Sequence, residues 1–223
     1  MTGSPTHKPF AAEPRLEGYV RDRFLGDDAV LARVRDRAAR SGLPAIHVSP
    51  FDGKLLEVIA RAAMPRTIVE IGTLAGYSGI CLARALLPGG VLHTLEIDPR
   101  HAAVARESFI EAGVSERVQI YVGPAAETLS QFGDGQVDVV FVDADKEGYP
   151  DYVRWAARAL RPGGVALLDN AFGWGAVADP PGDSREPSVE ALDRANRLLA
   201  DPDGPFRAMM IPTSEGLAMG VRV

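Results

Sequence analysis

Residues 67–87 read TIVEIGTLAGYSGICLARALL, and the fold is decided by how that stretch is parsed. Ile68, Val69 and Ile71 form a short apolar run of the kind a strand buried on both faces carries. Glycines at 72, 76 and 79 interrupt it, and Ile80, Ala83, Leu86 and Leu87 then recur at helical spacing. Strand, glycine-rich turn and helix make the first unit of a nucleotide-binding α/β sheet. A dinucleotide site uses G-x-G-x-x-G, so that backbone N–H groups crowd a pyrophosphate at the helix N-terminus. Here the spacing is G-x-x-x-G-x-x-G, and a carboxylate, Glu70, stands two residues before the first glycine. An anion beside the turn repels a pyrophosphate and suits a cation. S-adenosylmethionine, with a sulfonium, an ammonium and no phosphate, fits. By itself the glycine pattern is also that of an ordinary strand-to-helix turn, so a second signal is needed.

Moving outward, Val91–Glu96 (VLHTLE) is a strand ending in an acid 26 positions after Glu70. An acid at the end of a second strand can accept both ribose hydroxyls of an adenosine. Farther on, Val118–Val122, Val137–Val142 and Val165–Leu168 read as strands. Helices are expected at 99–112, at about 125–131 and from near Pro150 to Leu160. Strands this apolar belong in a parallel sheet covered on both faces. Segment 173–188 is rich in Gly, Pro and Asp, holds Trp174 and reads as a loop placed to cover a ligand. A helix over about 188–200 follows. Strands at about 206–211 and 217–223 are joined by so few residues that they must form an antiparallel hairpin. The expected fold is a Rossmann-like, mostly parallel α/β sheet of methyltransferase type, with a C-terminal antiparallel hairpin and helices on both faces.

Upstream, residues 1–14 are polar and proline-bearing and are expected to be mobile. Residues 15–64 form a helical extension. Leu16, Tyr19, Val20 and Phe24 mark one helix, a second is capped by Asp27, and a third runs from Phe51 to Ala63. The whole 223-residue chain is read as one domain, with 66–223 as the cofactor-binding sheet. Charged residues make up 24% and hydrophobic ones 46%, an ordinary balance for a globular protein. A net charge of −6 without a basic stripe argues against a nucleic-acid or anionic-membrane partner. The arginines at 33, 35, 37 and 40 read as the solvated face of a helix. No apolar segment is long enough to span a bilayer, and the N-terminus has no signal-peptide core, so a cytoplasmic location is expected. The single Cys81 excludes an intramolecular disulfide and reads as a small buried residue.

Chemistry concentrates at two further strand ends. Val142 leads into Asp143-Ala144-Asp145-Lys146, and Leu168 into Asp169-Asn170. In open α/β sheets ligands lie beyond the carboxyl ends of the strands. Asp143, Asp169 and Asn170 there form an all-oxygen donor set suited to a divalent cation, Mg²⁺ in first place with Ca²⁺ or Mn²⁺ as alternatives. Taken singly, each is as readily a cap of the following segment. His47 and His93 lack partners at ligand spacing and read as structural, His7 and His101 as surface residues. Tyr152 reads as core, and Tyr149 as the tyrosine able to face a pocket.

VEIGTLAGYSG (69–79), VDADKEGYPDYV (142–153) and DNAFGWGAV (169–177) together resemble the metal-dependent O-methyltransferases that include the caffeoyl-CoA and catechol enzymes. The similarity runs from about Ile46 to Val223. It implies that Glu70, Gly72, Thr73 and Ser78 touch the methionine portion of S-adenosylmethionine, that Glu96 holds the ribose and that Ala125 lies beside the adenine. Val48 and Asp145 join the same cofactor set. Asp143 serves both cofactor and metal, Asp169 and Asn170 complete the metal site, and Lys146 is the candidate base. The acceptor expected is a small aromatic vicinal diol, and a homodimer is expected because relatives of this class commonly pair. Two departures bear on the acceptor: Gly173 stands where plant members carry tryptophan, and Ser214-Glu215-Gly216 replaces the usual DG of the final hairpin. A nicotinamide oxidoreductase and a non-catalytic adenosine-binding subunit are the competing readings.

Overall fold

The computed structural model describes residues 14–180 and 185–223. The sheet is built on β1 (Thr67–Ile71), flanked by β2 (Val91–Glu96) and β4 (Val137–Val142), with β3 (Val118–Val122) outside β2 and β5 (Leu160–Leu168) beyond β4. The hairpin of β6 (Phe206–Ile211) and β7 (Leu217–Arg222) completes seven strands in the order β3-β2-β1-β4-β5-β7-β6, with β7 antiparallel to both of its neighbours. The order reverses at β1 and β4. The carboxyl ends of those two strands therefore flank a crevice, the usual ligand position of a doubly wound sheet.

Alternation along β1 explains the two layers. Ile68 packs with Leu82, Phe109, Leu56 and Val34, on α4 (Tyr77–Ala85), α5 (Pro99–Glu111), α3 (Pro50–Ala62) and α2 (Ala29–Arg40). Val69 and Ile71 point the other way, toward Val153 and Trp155 of α7 (Tyr149–Ala159) and Leu192 of α8 (Pro187–Leu199). A short helix, α6 (Ala125–Leu129), adds Leu129 to that layer. Helices α2 and α3 thus thicken one face of the sheet.

Several details differ from the sequence reading. The cap of α2 is Asp28, not Asp27: its carboxylate accepts from the N–H groups of Val30 and Leu31, at 3.1 and 3.0 Å, and meets Arg84 at 2.5 Å. The first helix, α1 (Pro14–Val20), passes into a π-turn over Arg21–Leu25 instead of running on as one α-helix, and it leaves Leu16, Tyr19 and Phe24 exposed. Strand β5 starts at Leu160 because Leu160 pairs with Val137; the Arg161–Gly164 turn is absorbed as an irregularity before Val165 meets Val139. The arginines of α2 are not a purely solvated face, since Arg33 and Arg37 both bond Glu111 of α5. The expected mobility of residues 1–14 falls almost wholly outside the described residues. Among those described, no helix is long and apolar enough to cross a membrane.

Candidate active site

The glycine turn after β1 is shaped by crowding. Gly72 has φ +100°, and a Cβ there would lie 2.0 Å from the Asp143 carbonyl oxygen, so the turn closes directly on the end of β4. Gly79 serves packing, because a Cβ would meet Glu70 Oε2 at 2.8 Å and the Phe109 ring at 2.9 Å. Glu96, at the end of β2, holds the turn from the side. One carboxylate oxygen accepts from the N–H groups of Leu74 at 2.8 Å and Thr73 at 3.2 Å, and the other from the N–H of Asp98 at 3.0 Å.

Glu70 is fully buried. Its register partner on β2 is Thr94, and that pairing puts the Thr94 hydroxyl 2.6 Å from Oε2, with the Thr73 hydroxyl 2.5 Å further along the chain of bonds. Oε1 has no hydrogen-bond partner. Burial pushes this carboxyl up to about 7, against the hydroxyls of Thr94 and Ser78, and the negative Asp143 and Glu96 add to the rise. The turn is therefore backed by an acid that a cationic ligand would ionise.

At the ends of β4 and β5, Asp143 accepts from Lys146 Nζ at 2.9 Å, and the same ammonium donates to the Tyr149 hydroxyl at 2.9 Å. Tyr149 is buried and its hydroxyl donates to the carbonyls of Val142 or Asp169, at 3.1 and 3.2 Å. Asp145 accepts from the Tyr152 hydroxyl at 2.7 Å and from the Gly148 N–H at 3.0 Å. Asp169 is buried, and its carboxyl is pushed up to about 7 by burial first and by the neighbouring Asp143 second. Asn170 holds a left-handed φ of +54°. Among the described residues no three His, Cys, Asp or Glu side chains gather as a metal cluster, and the expected set of two aspartates and one asparagine is not of that kind. Two carboxylates, close enough that the charge of one opposes ionisation of the other, with an amide oxygen beside them, still fit a hard divalent cation in donor chemistry and in charge.

A cavity of about 810 Å³ joins these parts. Val48, Gly72, Thr73, Ser78, Glu96, Ala125, Asp143, Asp145, Lys146, Asp169 and Asn170 all line it, while Glu70 lies behind the wall. The two tyrosines exchange their expected places: Tyr149 is in the core and Tyr152 lines the cavity. His101 is no surface residue, since its Nδ1 lies 3.5 Å from Glu96 and it lines the same cavity. Its position on the first turn of the helix after Glu96 is the sequence signal that points there. His47, Asp52 and Glu215 also line the cavity; the first two carry no motif of their own, and Glu215 belongs to the hairpin element that departs from the usual DG. His93 packs against Tyr121 and Phe132, as a structural residue does.

Strand order, inserted antiparallel strand and a carboxylate-backed glycine turn define the class: an S-adenosylmethionine-dependent methyltransferase fold. Residues 22–223 match the family described as O-methyltransferase. The chain is 42% identical over 187 residues to the catechol O-methyltransferase of Niastella koreensis, covering 82% of this chain and 84% of that one. It is 41% identical over 191 residues to the catechol O-methyltransferase of Mycobacterium tuberculosis, covering 86% of each. The O-methyltransferase of Bacillus cereus, solved in complex with SAH, superposes with a TM-score of 0.85 at 35% identity, over 96% of this chain and 100% of that chain. The O-methyltransferase TomG of Streptomyces achromogenes, in complex with SAM, gives a TM-score of 0.85 at 35% identity, over 94% of this chain and 96% of that chain. The chain belongs to the O-methyltransferase family and is an S-adenosylmethionine-dependent O-methyltransferase.

Proposed function

We propose that this enzyme moves the methyl group of S-adenosylmethionine to one hydroxyl of a small aromatic vicinal diol and depends on a divalent cation, Mg²⁺ in first place. The reading is carried by one observation: Asp143, Asp169, Asn170 and Lys146 line the same cavity as the glycine turn and Glu96. The names of the Niastella and Mycobacterium relatives support the diol. In this reading Glu96 accepts the ribose hydroxyls, and Gly72, Thr73 and Ser78 hold the methionine portion with Glu70 behind them. Val48, Ala125 and Asp145 complete the cofactor wall. Asp143, Asp169 and Asn170 would hold the cation, which when bound supplies charge stabilisation to a developing phenolate. With Asp143 turned to the cation, Lys146 would lose its ammonium proton to solvent, and its neutral Nζ would then take the hydroxyl proton as the oxygen attacks the sulfonium methyl and the methyl–sulfur bond breaks to leave S-adenosylhomocysteine; holding both reactants in one cavity supplies the orientation. We further propose a cytoplasmic homodimer, which light scattering checks against the 23.8 kDa of one chain.

The test is turnover of benzene-1,2-diol followed by mass spectrometry, with and without excess EDTA. Chelation is expected to abolish methylation nearly completely and added Mg²⁺ to restore it; full activity in EDTA ends the metal reading. Lys146→Ala is expected to lower kcat more than it weakens acceptor binding, with partial rescue at high pH. Wild-type kcat for that variant across pH 6–9 removes the lysine from the reaction.

A further inference from the structure

Tyr149 opens α7 and has no exposed surface, so it touches neither cofactor nor acceptor, yet its hydroxyl stands where three parts of the site meet. The oxygen lies 3.1 Å from the carbonyl of Val142, the residue before Asp143, and 3.2 Å from the carbonyl of Asp169. Carbonyls only accept, so the phenol keeps its proton and donates it to one of the two. Its own lone pairs remain for a donor, and Lys146 Nζ supplies one at 2.9 Å, with the ammonium 4.9 Å from the ring centroid. Another ammonium hydrogen goes to Asp143, also at 2.9 Å.

Spacing explains why one lysine bonds both groups. Asp143 follows the last residue of β4, a single 3₁₀ turn over Lys146–Gly148 comes next, and Tyr149 begins the helix. Lys146 is therefore three residues from each partner, on opposite sides. A cation that takes the Asp143 carboxylate has to displace the ammonium, of which only 14% of the side chain is exposed. A half-buried donor that loses its acceptor is costly unless another stands ready. Among the described residues, Nζ has no hydrogen-bond partner besides Asp143 and Tyr149.

We infer that Tyr149 is a positioning residue: it gives Lys146 a seat apart from Asp143, so that a divalent cation can take the carboxylate while the amine stays in the cavity wall. This inference rests on the metal reading above. One N–H kept on the phenol oxygen also leaves the lone pair of the neutral amine for the acceptor's proton. A tyrosine that only braced the ends of β4 and β5 would act on the metal site whether or not the lysine were present.

The test is a mutant cycle on the full-length protein with S-adenosylhomocysteine bound, with Mg²⁺ affinity read by calorimetry. Tyr149→Phe keeps the ring and removes the hydroxyl; Lys146→Met keeps the side chain's length and removes the ammonium. The Val142 carbonyl still accepts from the Asp169 N–H at 3.0 Å when the phenol is gone. With Lys146 present, Tyr149→Phe is expected to weaken Mg²⁺ binding about fivefold, the size of one hydrogen bond. In the Lys146→Met background, with no ammonium to move, the same substitution is expected to change affinity by less than about twofold. Equal weakening in both backgrounds makes Tyr149 a brace alone and overturns the seat, as does unchanged affinity in Tyr149→Phe. A wild-type protein that binds none of Mg²⁺, Mn²⁺ and Ca²⁺ overturns the metal reading and the seat together. Should Tyr149→Phe fail to fold, a crystal structure of the wild-type protein with Mg²⁺ decides. Nζ on the Tyr149 oxygen, with Asp143 on the metal, upholds the seat; Nζ turned away from Tyr149 overturns it.

Discussion

The two ends of the central cavity are built on different principles. At the cofactor end, the turn from Gly72 to Gly76 is pressed against β4, held by two N–H groups on Glu96 and backed by the buried Glu70. Every one of those contacts joins neighbouring strands of the sheet. At the other end, the one proposed for the acceptor, Gly173–Ala178 is an irregular 3₁₀ segment, with Trp174 and Gly175 at positive φ and Trp174 65% exposed. It is tied down from outside: Arg185 donates to the carbonyls of Ala176, Val177 and Asp179, and Asn196 to that of Ala171. The hairpin loop contributes too, since Ala171 and Phe172 donate to the carbonyls of Gly216 and Glu215. The cofactor end is thus part of the sheet's own core, whereas the segment proposed to face the acceptor is held by side chains from outside the sheet, Arg185 among them with only 7% of its side chain exposed. Such a division lets acceptor preference change without disturbing the shared chemistry.

The contrast predicts its strongest effect for matched glycine substitutions. Gly72→Ala drives a Cβ into the Asp143 carbonyl at 2.0 Å and is expected to cost about 3–5 kcal/mol in urea unfolding. Gly175→Ala, at φ +92° with nothing within 4 Å, is expected to cost only the left-handed penalty of about 1–2 kcal/mol. Equal losses at the two sites would erase the distinction between a packed end and a loosely tied one.

Next comes the cofactor itself. Glu96→Ala is expected to weaken S-adenosylmethionine binding by about 1.5–3 kcal/mol, the scale of hydrogen bonds to a charged group, as read by calorimetry. Unchanged affinity would remove Glu96 from the site and leave it as a brace for the turn alone.

Glu70 gives a pH signature of intermediate size. Its folded value of about 7 exceeds the ordinary 4.5, so between those values the folded chain keeps a proton that the unfolded chain has lost. The contribution of this group to stability is therefore greatest below about pH 4.5 and falls as pH rises toward 7. Asp169 acts in the same sense from its own raised value, also about 7. Glu70→Gln should flatten the melting-temperature profile between pH 4.5 and 7 by an amount corresponding to about 1–2 kcal/mol, discounted from the full linkage value. A variant profile parallel to wild type would mean that Glu70 stays ionised in the unliganded fold.

The smallest stability effect is expected at the other end. Trp174→Ala, at an exposed ring, should change unfolding free energy by less than about 0.5 kcal/mol and leave cofactor affinity intact while altering acceptor preference. Loss of cofactor binding in that variant would show the two ends to be mechanically coupled.

Much of this architecture is legible in the sequence. The all-apolar runs, the glycine spacing and the short hairpin connection identify the sheet, because those signals report local backbone geometry and burial on two faces. Glu96, Asp143, Asp169 and Asn170 are legible as strand-end groups for the same reason: a residue that closes an apolar run in a parallel sheet emerges at its carboxyl edge. Helix phase is not legible at the same precision. Tyr149 and Tyr152 stand three residues apart on or beside one helical face, and only the docking of α7 on β4 and β5 sends the first to the core and the second to Asp145.

Residue type and spacing are enough to specify the order of units, the carboxylate-backed turn and the donor chemistry at the strand ends. Each of these is written within fewer than about thirty positions, the span of one strand–helix–strand unit. The side chains that complete the cavity from distant segments are a matter of packing: Asp52 from α3 and Glu215 from the last hairpin. Their positions depend on how α2, α3 and the β6–β7 hairpin settle against the sheet. Packing of that kind is set by the summed burial of many side chains, and no single stretch of sequence records it.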